Sequence, residues 1–546
     1  MNRTDPIFDA VTAPGTPFEI GERDGVRQFV TAPSDLNQLI ESARRHGRKT
    51  FVVEGERRLS FDEMFALRDA LVPELGISKG DRVAICMRNR AEWMIAFLAV
   101  IKAGGVAALL NSRGSAAEFD AAIEEVTPVL VLADAERATL IRAGAFAGRI
   151  IEAENFPASD GMAPNQMPAD PAAPTDPAAI LFTSGTTGRV KGAVLTHRNL
   201  VTGLLSMQLS GVMVLQDAAQ RHGIPVETMI ANMPQQAVLL VYPLFHISGL
   251  GSAFLSPLFS GTKVVIMRRW DAQNAMQLIK DEHITQFTAV PTMLWDVLKS
   301  AKLVGADLSS LRNVASGGQA LPVNLLDEIR QTCPQAVMGT GYGMTEASGS
   351  VAMAVGEDFI RNRASAGRVL NLVEMRIEGP DGEEMPVGDA GEIVVRGPMI
   401  MKGYWNRPEE TSAVLSSEGW LRTGDVGYVD DEGYVFIVDR KKDMVISGGE
   451  NIYCAEVERI MGEMPMITEC AAFGIPDERL GELLVAVVVA KGIDEHAIIA
   501  EVGEKLARYK APGRVAFSVE PLPRNAVGKI DKIKLRALWP TLAGDA

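Results

Sequence analysis

Short apolar runs alternate with longer segments of helical period along most of this chain. "DRVAICM" precedes "AEWMIAFLAVIKAG", and "VAALL" precedes "SAAEFDAAIEEV" and the next run, "VLVLA". Strand-length runs separated by helices predict parallel strands in an α/β fold. The pattern continues through "TKVVIM", "ITQFTAV", "LRNVASGG" and "AVMGTGYG". Near Met375 the texture changes. "MRIEG", "GEIVVRG", "VGYVD" and "GYVFIVDR" are short strands, with turn pairs at Asp381-Gly382 and Glu432-Gly433, so hairpins are expected there. After Arg440 a charged step, "RKKD", leads to a third pattern. It predicts a helix at "AEVERIMGEM", strands at "TECAAFG" and "LLVAVVVAKG", and a helix at "EHAIIAEVGEKLARYK".

The expected organisation is therefore a large N-terminal domain, residues 1–439, of α/β sheets with a β-rich subdomain. A small α+β domain, residues 440–546, follows, joined at about Asp439–Asp443. The Pro/Ala-rich stretch "APNQMPADPAAPTDPAA" is a surface connector. From Ala237 to Thr262 no Asp, Glu, Lys or Arg occurs, which matches the length and character of a membrane span. Pro243, Pro257, Gly249, Gly251, Gly261 and His246 argue against one. A buried strand, a turn and a buried helix are expected instead.

Composition narrows the function. The 546 residues are 47% apolar and 23% charged, as in an ordinary globular enzyme. A net charge of −15 argues against general nucleic-acid binding, which needs clustered Lys and Arg. Cys86, Cys333, Cys454 and Cys470 are scattered without C-x-x-C spacing, and the six histidines show no H-E-x-x-H pairing. Disulfide frameworks and transition-metal sites are not expected, and a reducing cytoplasm is the natural setting. The N-terminus has no apolar signal core.

The candidate chemistry begins with "ILFTSGTTGRVKGAVLTHRNL". An apolar run breaks into Thr183, Ser184, Gly185, Thr186, Thr187 and Gly188, with Lys191 and Gly192 beyond and a helix re-entered near Asn199. Glycines let backbone N–H groups point into a concavity, hydroxyls add donors and the lysine adds a mobile positive charge. Such a loop suits phosphate. It is not G-x-x-x-x-G-K-[ST], because Lys191 stands three after Gly188 and is followed by Gly192. Further along, "SGGQALP" places paired glycines at a strand end before a helix. "GTGYGMTEASG" sets Tyr342 between glycines, with Thr345 and Glu346 after it. "GWLRTGDVG" puts Asp425 in a tight turn, suited to a ribose diol, and "PRNAVGKI" puts Lys529 after a glycine on the small domain.

Taken in order, "TSGTTGRVKG", "YGMTE", "GWLRTGD", "DRKKDMVISGGENIY" and "PRNAVGK" resemble the adenylate-forming superfamily of acyl-CoA synthetases, adenylation domains and luciferases. The resemblance covers nearly the whole chain. It implies two half-reactions with ATP, Mg²⁺ and coenzyme A: formation of an acyl-adenylate with loss of pyrophosphate, then displacement of AMP by a thiol. It implies that Thr183 to Thr187 and Lys191 embrace the ATP phosphates. Gly317, Gly318 and Gln319 would flank the adenine beside Thr340 and Gly341, with Tyr342 stacked on the base. Thr345 would contact the α-phosphate, Glu346 would hold Mg²⁺, Asp425 and Arg440 would grip the ribose, and Lys529 would bridge carboxylate and α-phosphate. The small domain would rotate about Lys442 and bring the loop of Ser447, Gly448, Gly449, Glu450 and Asn451 to the thiol path.

His246, in "YPLFHISGL", would border and gate the acyl pocket, with Ser248, Gly249, Ala253 and Gly343 leaving room for the tail. The stretch has no acid, and a buried ammonium without a partner is costly, so an amino acid substrate is not expected. A fatty or aromatic acid fits better. The chain departs from the resembled pattern at Val190, where proline usually precedes the lysine, at Cys454 for proline, at Thr340 for glutamine and at Asn525 for threonine. None of these removes a charged group. The leading class is an acyl-CoA ligase. An adenylating enzyme that passes its acyl group to a carrier protein is second, and a nucleotide-binding protein without catalysis is third. The expected partners are the acid, ATP and CoA, with no nucleic acid and no membrane span, and with a homodimer left open.

Overall fold

Among the described residues up to Arg440 most strands fall into three sheets, and Ile20–Arg23 pairs separately with Val26–Phe29. The computed structural model describes residues 6–23, 25–159, 170–184, 190–317, 323–441, 443–447, 450–525 and 528–544. A seven-stranded sheet has, in spatial order, Gly403–Tyr404, Val190–Thr196, Pro177–Ser184, Val106–Leu109, Arg82–Cys86, Leu130–Ala133 and Arg149–Glu152. A nine-stranded sheet runs from Arg368–Val369 through Gly349–Val355, Val337–Met344, Asn313–Gly317, Gln286–Ala289, Ala237–Leu240 and Lys263–Ile266 to Thr50–Glu54 and Arg57–Ser60. The strand pairs linked by helical crossovers are parallel, as the alternation predicts.

Helix Ala91–Lys102 is apolar on every face from Trp93 to Ile101 and buried along its whole length. A helix with no polar face must lie inside the protein. One continuous core holds Val52 of the nine-stranded sheet, Ile85 of the seven-stranded sheet and this helix between them. Trp93 and Phe97 stack there, and both meet Phe254 edge-on. The charge-free stretch forms strand Ala237–Leu240, a π-helical segment Ser248–Leu255 and helix Ser256–Ser260, as expected. Among the described residues one helix, His197–His222, has the length and hydropathy of a membrane span, and its first half is packed into the core through Leu200, Leu204 and Leu205.

The β-rich subdomain is a four-stranded antiparallel sheet of Glu374–Glu378, Gly391–Arg396, Leu421–Val429 and Val435–Arg440. The next strand, Val445–Ser447, belongs to a separate sheet in which Ile467–Asp477 and Gly481–Ala490 pair antiparallel. Helices Cys454–Gly462 and Glu495–Lys505 cover one face of that sheet, and Lys532–Leu542 the other through Leu535 and Trp539.

Candidate active site

The phosphate loop is carried on a hairpin. Strands Pro177–Ser184 and Val190–Thr196 are antiparallel, with Ser184 opposite Val190 and Thr183 opposite Lys191. The helix begins only after the return strand, where the Thr196 hydroxyl accepts from Asn199 N and the Asn199 side chain accepts from Thr196 N. This reciprocal cap satisfies two of the first turn's free N–H groups. Gly185, Thr186, Thr187, Gly318, Gln319, Lys442, Gly448 and Gly449 lie outside the described residues.

Strand Asn313–Gly317 runs parallel to Val337–Met344, pairing Ser316 with Thr340 and Gly317 with Gly341. The "GTGYG" stretch is thus part of a strand. A 3₁₀ turn, Thr345–Ala347, follows, and the chain reverses at Ser348 and Gly349 with φ of 54° and 119°. A side chain at Gly343 would meet the Gly349 carbonyl oxygen at 1.9 Å, so that glycine is required by the tight hairpin. Thr345 and Glu346 are buried at the turn.

Asp425 also departs from expectation. It lies in strand Leu421–Val429, directly opposite Arg440, and not in a tight turn. Gly424, with φ of 71°, and a register shift beyond Val426 bend the strand there. The Tyr342 hydroxyl donates to Asp425 Oδ2 at 2.7 Å.

Thr183, Lys191, His246, Ser248, Thr340, Gly341, Tyr342, Gly343, Thr345, Glu346, Asp425 and Lys529 all line one continuous cleft of about 2240 Å³. Two expected pocket residues do not. Gly249 and Ala253 lie off the cleft wall and are buried in the core. A Cβ at Gly249 would meet the Pro243 carbonyl oxygen at 2.0 Å. Its smallness serves backbone packing, while Gly251 and Ser252 face the cleft.

Lys529 is set on a tight loop. Arg524 and Ile530 form a bridge, Asn525 N donates to Lys529 O at 2.8 Å, and Lys529 N donates to Asn525 Oδ1 at 3.0 Å. Asn525, noted only as a departure in sequence, thus closes the loop that holds the lysine. Gly528, with φ of 87°, faces Val290 of the large domain. Burial, and secondarily the Lys529 ammonium, push the His246 imidazole down to about 4. His246 is therefore neutral at ordinary pH. Its Nδ1 accepts from Ser248 N at 3.3 Å, which leaves the proton on Nε2. Asn89 fixes the loop that presents it, donating to Tyr242 O and accepting from Leu244 N.

Sequence reading missed Tyr404. Its hydroxyl donates to Glu346 Oε1 at 3.0 Å, and its ring lies under the Lys191 ammonium, 5.2 Å from centroid to nitrogen. The only signal was the doublet Gly403-Tyr404 ahead of "WNRP", which resembles an ordinary turn. The acid equipment fits Mg²⁺. Among the described residues no group of three His, Cys, Asp or Glu side chains could hold a metal. Mg²⁺ is commonly bound by one or two carboxylates together with substrate phosphates and water, which suits Glu346.

Comparison with known proteins gives the same picture. The AMP-binding enzyme family matches residues 39–405, and the AMP-binding enzyme C-terminal domain matches residues 456–529. The chain is 36% identical over 504 residues to feruloyl-CoA synthase of Amycolatopsis sp, covering 91% of this chain and 97% of that protein. It is 34% identical over 491 residues to the long-chain-fatty-acid–CoA ligase FadD13 of Mycobacterium tuberculosis, covering 88% and 93%. Among solved structures it is similar to the o-succinylbenzoate CoA synthetase of Bacillus subtilis in complex with its acyl-adenylate intermediate, with TM-score 0.77, 30% identity and coverage of 92% and 98%. The same synthetase with ATP and magnesium ion gives TM-score 0.75, 30% identity and coverage of 90% and 98%. With family matches on both sides of the Asp439–Asp443 step, and the cleft built as described, the chain belongs to the AMP-binding enzyme family.

Proposed function

We propose that the cleft activates a hydrophobic carboxylic acid, fatty or aromatic, for transfer to coenzyme A. The enzyme is an AMP-forming acid–thiol ligase, and its relatives are CoA ligases. In the first half-reaction a carboxylate oxygen attacks the α-phosphorus of ATP and pyrophosphate leaves. In the second the CoA sulfur attacks the acyl carbon and AMP leaves. Two anions must meet in the first step. Lys529, on its closed loop, is assigned to bridge them, and Mg²⁺ held by Glu346 would supply the second positive charge. Fixed groups aimed at developing charge act strongly in a site shielded from water. Thr183 and Lys191 are assigned to the phosphates, Thr345 to the α-phosphate, Tyr342 to the adenine, and Asp425 with Arg440 to the ribose.

The observation that carries the substrate class is the lining beyond His246. It includes Met207, Val212, Val214 and Leu215 from helix His197–His222, Ile230 from helix Val226–Asn232, and Met233 just after it. No lining residue from these helices or from the Tyr242–Thr262 stretch is acidic. An apolar tail is welcome there, and an ammonium would be left without a partner. The lining residues of segment 211–236 are assigned to the wall of the acyl pocket. Residues 1–439 and 440–546 are assigned as the two domains. The same reading places the enzyme in the cytoplasm, consistent with four free cysteines.

The test is a panel of acids assayed for pyrophosphate release and CoA-thioester formation. Octanoate and coumarate should be turned over, and leucine and phenylalanine poorly. Preference for the amino acids would overturn the pocket assignment. Pyrophosphate release without CoA-thioester formation would move the protein to the acyl-AMP ligases that load a carrier protein.

A further inference from the structure

The segment Met401–Trp405 joins two parts of the cleft that are distant in sequence. Met401 N donates to Glu346 O, Lys402 N to Val194 O and Trp405 N to Gly192 O, at 2.8, 2.9 and 2.8 Å. Gly403 and Tyr404 pair with Val194 and Ala193. The strap thus binds the return strand of the phosphate-loop hairpin to the Thr345–Glu346 turn. Its central side chain repeats the link. The Tyr404 hydroxyl holds Glu346 Oε1, the Tyr404 ring faces the Lys191 ammonium, and Tyr404 N is itself held by Thr411 Oγ1 at 2.9 Å. Among the described residues Glu346 Oε2 has no protein partner.

We propose that Tyr404 is a positioning residue for adenylation, whose hydroxyl aims the Glu346 carboxylate at Mg²⁺ while its ring aims Lys191 at the ATP phosphates. The two charges then reach one nucleotide from a common support. A hydrogen bond that engages one carboxylate oxygen fixes the rotamer and leaves the other oxygen for the ion. A cation over an aromatic face keeps its charge and gains direction. The inference rests on the synthetase reading above.

The test separates the hydroxyl from the ring. Tyr404→Phe keeps the ring and loses the hydroxyl, and Tyr404→Leu loses both. Binding of ATP is measured calorimetrically in EDTA and again in Mg²⁺. In Tyr404→Phe, metal-free ATP should bind as in the wild type, while the strengthening by Mg²⁺ should fall about tenfold, the usual worth of a hydrogen bond to a charged group. Tyr404→Leu should also weaken metal-free ATP several-fold. In a Glu346→Gln background, Tyr404→Phe should have no further effect on Mg²⁺ coupling. Thioester formation from synthetic acyl-adenylate, which needs neither Mg²⁺ nor the phosphates, should stay near wild type and shows that the variants are folded. Wild-type Mg²⁺ coupling in Tyr404→Phe overturns the proposal, as does an equal loss in both ATP forms and in the thioester step. If the wild type adenylates no acid, the functional reading fails, yet the calorimetry still decides the role of Tyr404.

Discussion

His246 and Lys529 line the same cleft, and burial there sets the pH response of His246. An unfolded histidine titrates near 6.5, while His246 is held down to about 4 by burial and the Lys529 charge. Between those values the unfolded chain binds a proton that the folded chain does not. Stability therefore falls as pH drops from about 6.5 to about 4. The fall in Tm from pH 7 to pH 5 should be smaller in His246→Gln than in the wild type, and identical falls would remove His246 from the balance. Lys529→Ala should cut acyl-adenylate formation on the order of 10²–10³-fold or more, because the two anions lose their bridge. Its thioester step from synthetic acyl-adenylate should change far less. Near-normal pyrophosphate release would reject the assignment. Glu346 and Asp425 could be singled out in sequence because each stands in a short block of glycines and hydroxyls, Lys529 because it follows a glycine in "PRNAVGKI", and the structure brings all three to one cleft. Gly249 was not legible, because smallness serves an open pocket and a close backbone approach equally well, and only the 2.0 Å approach to Pro243 O tells them apart.

The strands and helices were legible because their periodicity is local. Arg82–Cys86, Val106–Leu109 and Leu130–Ala133 stand where the apolar runs put them. Partner choice was not legible. Thr50–Glu54 pairs in parallel with Lys263–Ile266, Val52 beside Val264, and nothing in either run names the other. Asp425 shows the same limit, since glycines beside an aspartate signal a turn while cross-strand partners hold the segment extended. The Arg524–Ile530 loop is the element most sensitive to one atom. Gly528 sits at φ of 87°, and the nearest atom to an added Cβ is a Val290 methyl at 3.7 Å. Gly528→Ala thus has room but a strained backbone, costing about 1–2 kcal/mol. Adenylation should fall roughly tenfold as the loop shifts, and Tm by a few degrees. A variant that adenylates at the wild-type rate would show that the loop does not set the lysine.

At the scale of the whole molecule, the contact of Gly528 with Val290 marks a conformation in which Lys529 is presented to the cleft. The family resemblance implies that the small domain turns away before the thiol arrives. Cysteines at both positions, Val290→Cys with Gly528→Cys, should hold the domains together when oxidised. The cross-linked enzyme should release pyrophosphate in a single turnover and form no thioester until reduced. Thioester formation at an equal rate before and after reduction would exclude the rotation. Another link spans the molecule. The hydrogen bond from Tyr342 to Asp425 joins the nine-stranded sheet to the four-stranded one, and it bears on fidelity toward the sugar. A site whose buried acceptor depends wholly on a substrate hydroxyl rejects the analogue lacking it by about 10⁴–10⁵-fold. Asp425 has an internal donor, so a deoxyribonucleotide leaves it satisfied. Only one hydrogen bond to a charged group is then at stake, about 1.5–3 kcal/mol, and dATP should serve roughly 10–100-fold less well than ATP. Discrimination against dATP of about 10⁴-fold or more would show that Asp425 depends on the substrate hydroxyl after all.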